Sequence, residues 1–285
     1  MKNTKTKIKI YSLLLVFLIF SFSFYYAFTL ASKNTLSVSF LDVGQGDSIF
    51  IKTPSGIKIL MDAGKDNVVL TRLGDQLSFL EKDIDLVIGT HDDLDHIGGL
   101  PAVISKYNIG SVLLSLPESD SAANTEIIKV SKEKNIPIIK IENPKEILLE
   151  DGTKVEILFP VKDMNGAESN DASIVTKITY GNISFLLTGD LPQSGELFLV
   201  NTYGSKIKSD ILKLGHHGSD TSSHPKFLET VSPRAVVISS GKNNTFGHPH
   251  RSVIDLINKF GFQIFRTDEM GTINFETDGI DIWQK

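Results

Sequence analysis

Apolar and polar positions follow three different rhythms along the chain. From Ile10 to Ser32 no residue is charged, and Leu13, Leu14, Leu15, Val16, Phe17, Leu18, Ile19 and Phe20 run without a polar break. That is apolar enough to cross a bilayer as one helix. Lys2, Lys5, Lys7 and Lys9 precede it, the bias that keeps an N-terminus cytoplasmic and sends the downstream chain outward. A retained anchor and a cleaved signal share this pattern. The anchor is the preferred reading, because Thr29 and Ala31 make only a weak small-residue processing site among aromatic neighbours.

Beyond Lys33 the rhythm shortens. Alternation with period two marks strands over Leu36–Leu41, Ser48–Thr53 and Ile57–Asp62. The pattern then predicts a helix over Asp66–Leu80, a buried strand over Leu86–Gly89, a helix over Gly99–Tyr107, a strand over Ser111–Leu114, a helix over Thr125–Lys134 and a strand over Ile136–Ile141. The third rhythm repeats this style. Strands are expected over Lys154–Leu158, Ile174–Tyr180 and Ile183–Thr188, the last two joined at Gly181-Asn182, a hairpin turn. Helices Ser194–Tyr203, Pro225–Val231 and Ser252–Phe260 alternate with strands Ile211–Leu214, Ala235–Ser239 and Gln263–Arg266, and Gly271–Glu276 and Ile280–Trp283 close the chain as strands. Two halves of the same style imply layered α/β packing with sheets inside and helices outside. The expected division is therefore 1–33 as a lysine-rich end with its membrane or signal helix, and 34–285 as one folded domain.

Composition narrows the chemistry. The 285 residues contain no cysteine, which excludes disulfides, thiolate nucleophiles and Cys-based metal sites. A metal would need His, Asp, Glu or weaker oxygen donors. Setting aside Lys2, Lys5, Lys7, Lys9 and Lys33 leaves 24 basic against 34 acidic side chains, a formal charge of about minus ten. No basic stripe for duplex DNA is visible in that remainder.

Candidate chemistry concentrates in loops that follow apolar strands. Thr90-His91-Asp92-Asp93-Leu94-Asp95-His96-Ile97-Gly98-Gly99 packs two imidazoles and three carboxylates into six positions. His91 and Asp93 can face one point while Asp95 and His96 serve another, so one loop can feed two metal ions. Phe185 to Asp190 delivers a carboxylate after a glycine, Leu212 to Ser219 delivers His216 and His217, and Phe246 to His250 delivers His248 and His250. Six of the seven histidines thus sit in three tight clusters.

Thr90 to Gly99, Thr188-Gly189-Asp190 and Gly215-His216-His217-Gly218-Ser219 together resemble the metallo-beta-lactamase superfamily, and more closely the C-terminal hydrolase domain of the ComEC/Rec2 competence proteins. Phe40 to Ser48, Asn170 to Ile174, Phe246 to His250 and Arg266-Thr267-Asp268 also resemble that branch. The resemblance covers about Leu36 to Trp283. It implies a four-layer αββα sandwich with two divalent metal ions, Zn or Mn, at one edge. By motif, His91, Asp93, Asp95 and His96 are first-cluster ligands, Asp190 is the bridging ligand, and one of His216 and His217, with His216 favoured, is the late histidine. Where the superfamily often has histidine this chain has Asp93, an oxygen-rich choice that suits manganese. The histidine expected ahead of the bridging aspartate is absent, and Asn170 or Asp171 stands in that region.

The activity so implied is hydrolysis of a phosphodiester by a phosphodiesterase or nuclease. Asp95 or Asp190 would orient the attacking water, and His248 would stabilise the oxyanion or protonate the leaving oxygen, with His250 as its rival. Asp62 resembles the early aspartate that supports the ligand loop by hydrogen bonds. His224 reads as a cap for the helix at Pro225. Phe246, Phe262, Phe265 and Trp283 read as core or rim residues rather than base-stacking platforms. The competing enzyme reading is a small-molecule hydrolase acting on a beta-lactam, lactone or thioester. A further alternative is a non-catalytic, metal-stabilised binding module of the envelope. Expected partners are the substrate, which includes DNA, and the membrane through the N-terminal helix. The sequence leaves protein partners open, and a channel role would require them. The expected location is the cell membrane, single-pass with the domain outside, or secretion if the segment is cleaved.

Overall fold

Alternating burial along short strands builds the molecule from two sheets packed face to face. The computed structural model describes residues 2–31, 34–115, 119–162, 164 and 166–285. Helix α1 (Lys2–Ala31) contains a stretch, Lys7–Tyr26, long and apolar enough to cross a membrane, with mean hydropathy 2.0 and none of it packed against the rest. The end of the apolar run at Ser32 and the boundary at Lys33 lie outside the described residues.

The first half contains β1 (Leu36–Phe40), β2 (Ile49–Lys52), β3 (Lys58–Met61), α2 (Val68–Gln76), β4 (Asp83–Gly89), the single turn α3 (Leu94–Ile97), α4 (Leu100–Lys106), β5 (Asn108–Leu114), α5 (Ala122–Glu133) and β6 (Ile138–Lys140). The second contains β7 (Lys145–Leu148), β8 (Lys154–Phe159), β9 (Val175–Tyr180), β10 (Ile183–Leu187), α6 (Gln193–Tyr203), β11 (Ile211–Lys213), α7 (Pro225–Val231), β12 (Ala235–Ile238), α8 (Arg251–Phe260), β13 (Gln263–Arg266) and α9 (Thr267–Met270). The chain then returns to the first sheet as β14 (Ile273–Thr277) and β15 (Ile282–Gln284).

The sheet orders are β15-β14-β1-β2-β3-β4-β5-β6 and β13-β12-β11-β10-β9-β8-β7. Each is antiparallel on one side and parallel on the other, where helices make the crossovers. Val38, Phe40, Met61, Phe185 and Phe275 fill the space between the sheets. Neighbouring strand positions point the other way: Phe50, Leu60 and Val87 meet α2, α4 and α5, while Leu186, Leu212 and Val236 meet α6, α7 and α8. The result is the expected αββα layering.

Local differences have local causes. β4 and β5 begin at Asp83 and Asn108, earlier than expected, because the parallel ladder continues through the buried pair Ile84↔Ile109 to the exposed pair Asp83↔Asn108. α2 stops at Gln76, where Leu77 turns extended, and Phe79 and Leu80 are left exposed. β7 carries no sequence signal, since all four of its residues are exposed on an edge strand paired only with β8. The Gly181-Asn182 turn forms as expected between β9 and β10.

Candidate metal centre

The loops that leave β3, β4, β10, β11 and β12, together with the loop between β1 and β2, meet at one edge of the sandwich. Side chains from several strand ends thereby converge, the usual geometry for a site in layered α/β proteins. Asp95 and His96 ride on α3, Asp190 follows β10, and His217 follows β11.

A quartet of donor atoms gathers there: three buried ones face one another, and a fourth, on the part-exposed Asp95, adjoins His217. His96 Nε2 lies 3.3 Å from His217 Nε2 and 3.3 Å from Asp190 Oδ2. His217 Nε2 lies 3.4 Å from Asp190 Oδ2 and 3.3 Å from Asp95 Oδ2. The opposite faces of both imidazoles are already committed: His96 Nδ1 donates to Asp62 Oδ2 at 2.8 Å, and His217 Nδ1 donates to the Ser239 carbonyl at 2.9 Å. Each Nε2 therefore offers a lone pair. Two lone pairs and two carboxylate oxygens repel one another unless a cation sits among them. The mutual spacings of 3.3–3.4 Å among His96 Nε2, His217 Nε2 and Asp190 Oδ2 are those of three donors about 2.0–2.1 Å from a shared ion in tetrahedral geometry, and Asp95 adjoins them through His217. The donor set fits a divalent cation.

The surroundings fix this arrangement. Asp62 also accepts from Thr90 N at 2.8 Å and Thr90 Oγ1 at 2.7 Å, so it ties the ligand loop to β3 as the sequence suggested. Lys213 is wholly buried, pairs with Asp47, donates to the Gly189 carbonyl at 3.2 Å and lies 3.7 Å from Asp190 Oδ1. Burial opposes its charge, but Asp47 and Asp190 outweigh burial and hold it above the ordinary lysine value. Asp47 Oδ1 lies 3.4 Å from His217 Nδ1 and Oδ2 lies 3.8 Å from His96 Nδ1. Its carboxylate joins His96, Asp190 and His217 in a buried cluster whose ligand atoms all lie within 4.8 Å of one another, and it backs the Nδ1 side of the two imidazoles. Without a cation the nest attracts protons. Burial works against a charged His217, yet Asp190, Asp47 and Asp95 push it up to about 9.

A second set of donors lies alongside. Thr90 Oγ1 donates to Asp62 and sits 2.9 Å from His91 Nδ1, so His91 Nδ1–H donates to that hydroxyl and its buried Nε2, which has no partner, remains open. Asp93 Oδ2 is 3.7 Å away on a side chain 42% exposed. Burial, then the neighbouring His96, lowers His91 to about 3 and keeps it neutral. Asn170 Oδ1 is also buried without a partner, on a 3-10 turn whose flanking Ser169 and Ser173 hydroxyls accept from Asp92 N and Asp190 N.

Of the two late histidines, the structure brings His217 rather than the favoured His216 into the buried group. Both adopt left-handed backbone, with φ 49° at His216 and 53° at His217. His216 is left at the rim, its Nε2 3.8 Å from Asp190 and its Nδ1 on the Thr221 hydroxyl at 2.8 Å. The ring of His248 stands 5.5 Å from that of His216 and 6.2 Å from that of His217. Its neighbour His250 is engaged by Asp220 N at 3.1 Å. His224 caps α7 by accepting from Lys226 N, as expected.

Sequence reasoning missed Asp47 and Lys213 as parts of the site. The readable signal for Lys213 is one charge inside the otherwise apolar run Ile211-Leu212-Lys213-Leu214, which requires a buried counter-charge. Asp47 carries no comparable signal. Of the two places expected for Phe246, core or rim, it takes the rim, 62% exposed.

The chain is 29% identical over 255 residues to ComE operon protein 3 of Bacillus subtilis, covering 84% of this chain and 32% of that protein. It is 32% identical over 244 residues to competence protein ComA of Neisseria gonorrhoeae, with 85% and 32% covered, and 31% identical over 270 residues to recombination protein 2 of Haemophilus influenzae, with 90% and 31% covered. It thus spans about a third of the length of these relatives. Among solved structures, CmlA, a diiron beta-hydroxylase from Streptomyces venezuelae, superposes with TM-score 0.52 at 14% identity, over 81% of this chain and 52% of that one. YhfI of Bacillus subtilis, a metallo-beta-lactamase fold protein, gives 0.51 at 12% identity, over 88% and 100%. At such identities the likeness is one of fold. The sequence pattern of the metallo-beta-lactamase superfamily itself matches residues 41–242, which contain all four converging donors. The chain belongs to the metallo-beta-lactamase superfamily.

Proposed function

We propose that this protein is a metal-dependent phosphodiesterase or nuclease, held at the membrane by α1 with its 34–285 domain outside, or released if that segment is cleaved. The observation that carries the reading is the buried group of His96, Asp190 and His217, whose open donor atoms lie 3.3–3.4 Å apart, with the part-exposed Asp95 3.3 Å from His217. The names of the competence and recombination relatives support a nucleic-acid substrate.

In this reading the quartet holds one divalent cation, Zn or Mn, and His91, Asp93 and Asn170 offer donors for a second. A bound cation supplies positive charge that polarises a phosphoryl group and acidifies a water. Asp95 and Asp190 orient that water by accepting its hydrogens; Asp190 Oδ1 is buried with no hydrogen-bond partner. His248 is half-buried, its ring 5.5 Å from that of His216 and 6.2 Å from that of His217, and its Nδ1 is buried without a partner. Burial, then His217 and His216, depress it to about 4, so near neutral pH it is an uncharged imidazole. An uncharged ring suits hydrogen-bond donation to the developing oxyanion better than protonation of the leaving oxygen.

The test uses the full-length chain in detergent, with metal content measured and turnover followed on bis(p-nitrophenyl) phosphate, single-stranded DNA and nitrocefin, each with manganese and with zinc. Diester cleavage is expected. His217→Ala and Asp95→Ala should each lose bound metal and lower turnover roughly a hundredfold or more, whereas His216→Ala should retain the metal. Turnover that survives loss of the metal overturns the mechanism. Cleavage of nitrocefin without cleavage of either diester transfers the protein to the small-molecule hydrolases.

A further inference from the structure

The loop 42–46 and the loop 241–246 wall a cavity of about 500 Å³ beside the metal centre, a size typical of small-ligand sites. Gln45 Oε1 accepts from Gly241 N at 3.1 Å and ties the two walls. Asn244 fixes the second loop, accepting from Phe246 N and His248 N at 3.1 and 3.0 Å. Both walls run directly into the centre. Asp47 follows the first, its N–H donating to the Asp95 carbonyl at 3.2 Å, and His248 ends the second. The cavity is therefore tied to the centre through the residues that follow its two walls.

Its lining has an unusual balance for so acidic a domain. Lys65 and Lys242 contribute two exposed ammonium groups from different loops, and neither makes an ion pair or side-chain hydrogen bond among the described residues. The one carboxylate in the lining, Asp42, is already held by Arg72, whose Nη2 lies 3.3 Å away and whose Nε donates to the Asp42 carbonyl at 2.7 Å. Phe246 stacks on His248 with ring centres 5.8 Å apart and planes 21° apart, while remaining 62% exposed. A lone exposed phenylalanine is ordinary. One stacked on the imidazole that faces the centre, next to two uncompensated cations, is a platform for a flat ring carrying phosphate.

Resting on the phosphodiesterase reading, we propose that this cavity holds the nucleotide adjoining the scissile phosphate of a single nucleic-acid strand. The flanking phosphate lies on Lys65 and Lys242, and the base stacks on Phe246. A single strand is the fitting ligand because a base must leave its stack to reach the ring, and the domain offers no continuous basic stripe for a duplex. The sequence concealed this because Lys65 lies far along the chain from Lys242 and Phe246.

Two measurements on the full-length protein test it. The first is anisotropy of a fluorescein-labelled oligothymidylate with the metal chelated, so that no cleavage occurs. Lys65→Ala combined with Lys242→Ala should weaken binding about tenfold and flatten the log-log salt slope by about 0.7 to 1.4. Phe246→Ala should weaken binding by about fivefold to tenfold. The second is the ratio of kcat/KM for oligonucleotide to that for bis(p-nitrophenyl) phosphate, which should fall by about the same factor in these variants. Binding that is equal in wild type and variants, or an equal loss on both substrates, overturns the subsite. If wild type cleaves neither substrate with any metal, the phosphodiesterase reading fails by itself. The anisotropy then still decides whether the strand site exists.

Discussion

A lysine inside a three-residue buried strand is costly unless an anion meets it, and Lys213 meets Asp47 where neither side chain is more than 1% exposed. Removing one partner leaves the other charge stranded. Lys213→Met is expected to destabilise the metal-free protein by about 3–5 kcal/mol, and Asp47→Asn added to it should recover much of that loss. Urea titrations of the wild type, both single variants and the double variant measure the coupling; additive losses would remove the pair from the account. Glu196 presents the opposite balance. Burial pushes its carboxyl up from 4.5 to about 7, against the backbone N–H groups of His224 and Ser223 that favour the charge. Between those values the folded protein holds a proton that the unfolded chain has released, so stability is full below pH 4.5 and declines as pH rises through about 7. The loss is on the order of 3 kcal/mol. Glu196→Gln should melt at a higher temperature than wild type above pH 7 and at a similar one at pH 4.5; melting curves that stay parallel across that range would refute this.

At the scale of elements, the loop between β1 and β2 is the most exacting. Gly46 has φ +121°, and an added Cβ would run into the carbonyl of Asp95, whereas Gly44 at φ +80° faces open space. Gly44→Ala should therefore cost only backbone strain, about 1–2 kcal/mol. Gly46→Ala should cost more and also displace Asp95, lowering metal affinity; calorimetric titration with manganese separates the two. The strands and helices were legible because burial alternates with the period each element requires, as in Val38, Phe40 and Phe185. The histidine and aspartate loops were legible because they crowd several donors after apolar strands. The choice between His216 and His217 was not, since two successive left-handed residues turn adjacent side chains to opposite sides. Asp47 was hidden for another reason: its partners Lys213 and His217 are distant in sequence and meet it only when the two sheets close.

Across the whole molecule, the formal charge of minus five averages a lysine-rich leader with an acidic domain. If α1 is a retained anchor, the full-length protein should stay in the membrane fraction through alkaline carbonate extraction, with its domain open to protease added outside intact cells. Release by carbonate, or a mature N-terminus beyond Lys33, would establish the cleaved form. The donor quartet has its own consequence at this scale. Asp95 and His96 sit on α3 between strands of the first sheet, and Asp190 and His217 follow strands of the second, so a cation shared among them would work as a clasp across the seam. Chelation should quicken amide exchange along 91–97 and 215–219 while leaving Leu36 and Ile183, at the far end of the sandwich, slow. The apolar filling would then hold the sandwich at its far end while the cation ties the two sheets at the edge that carries the site.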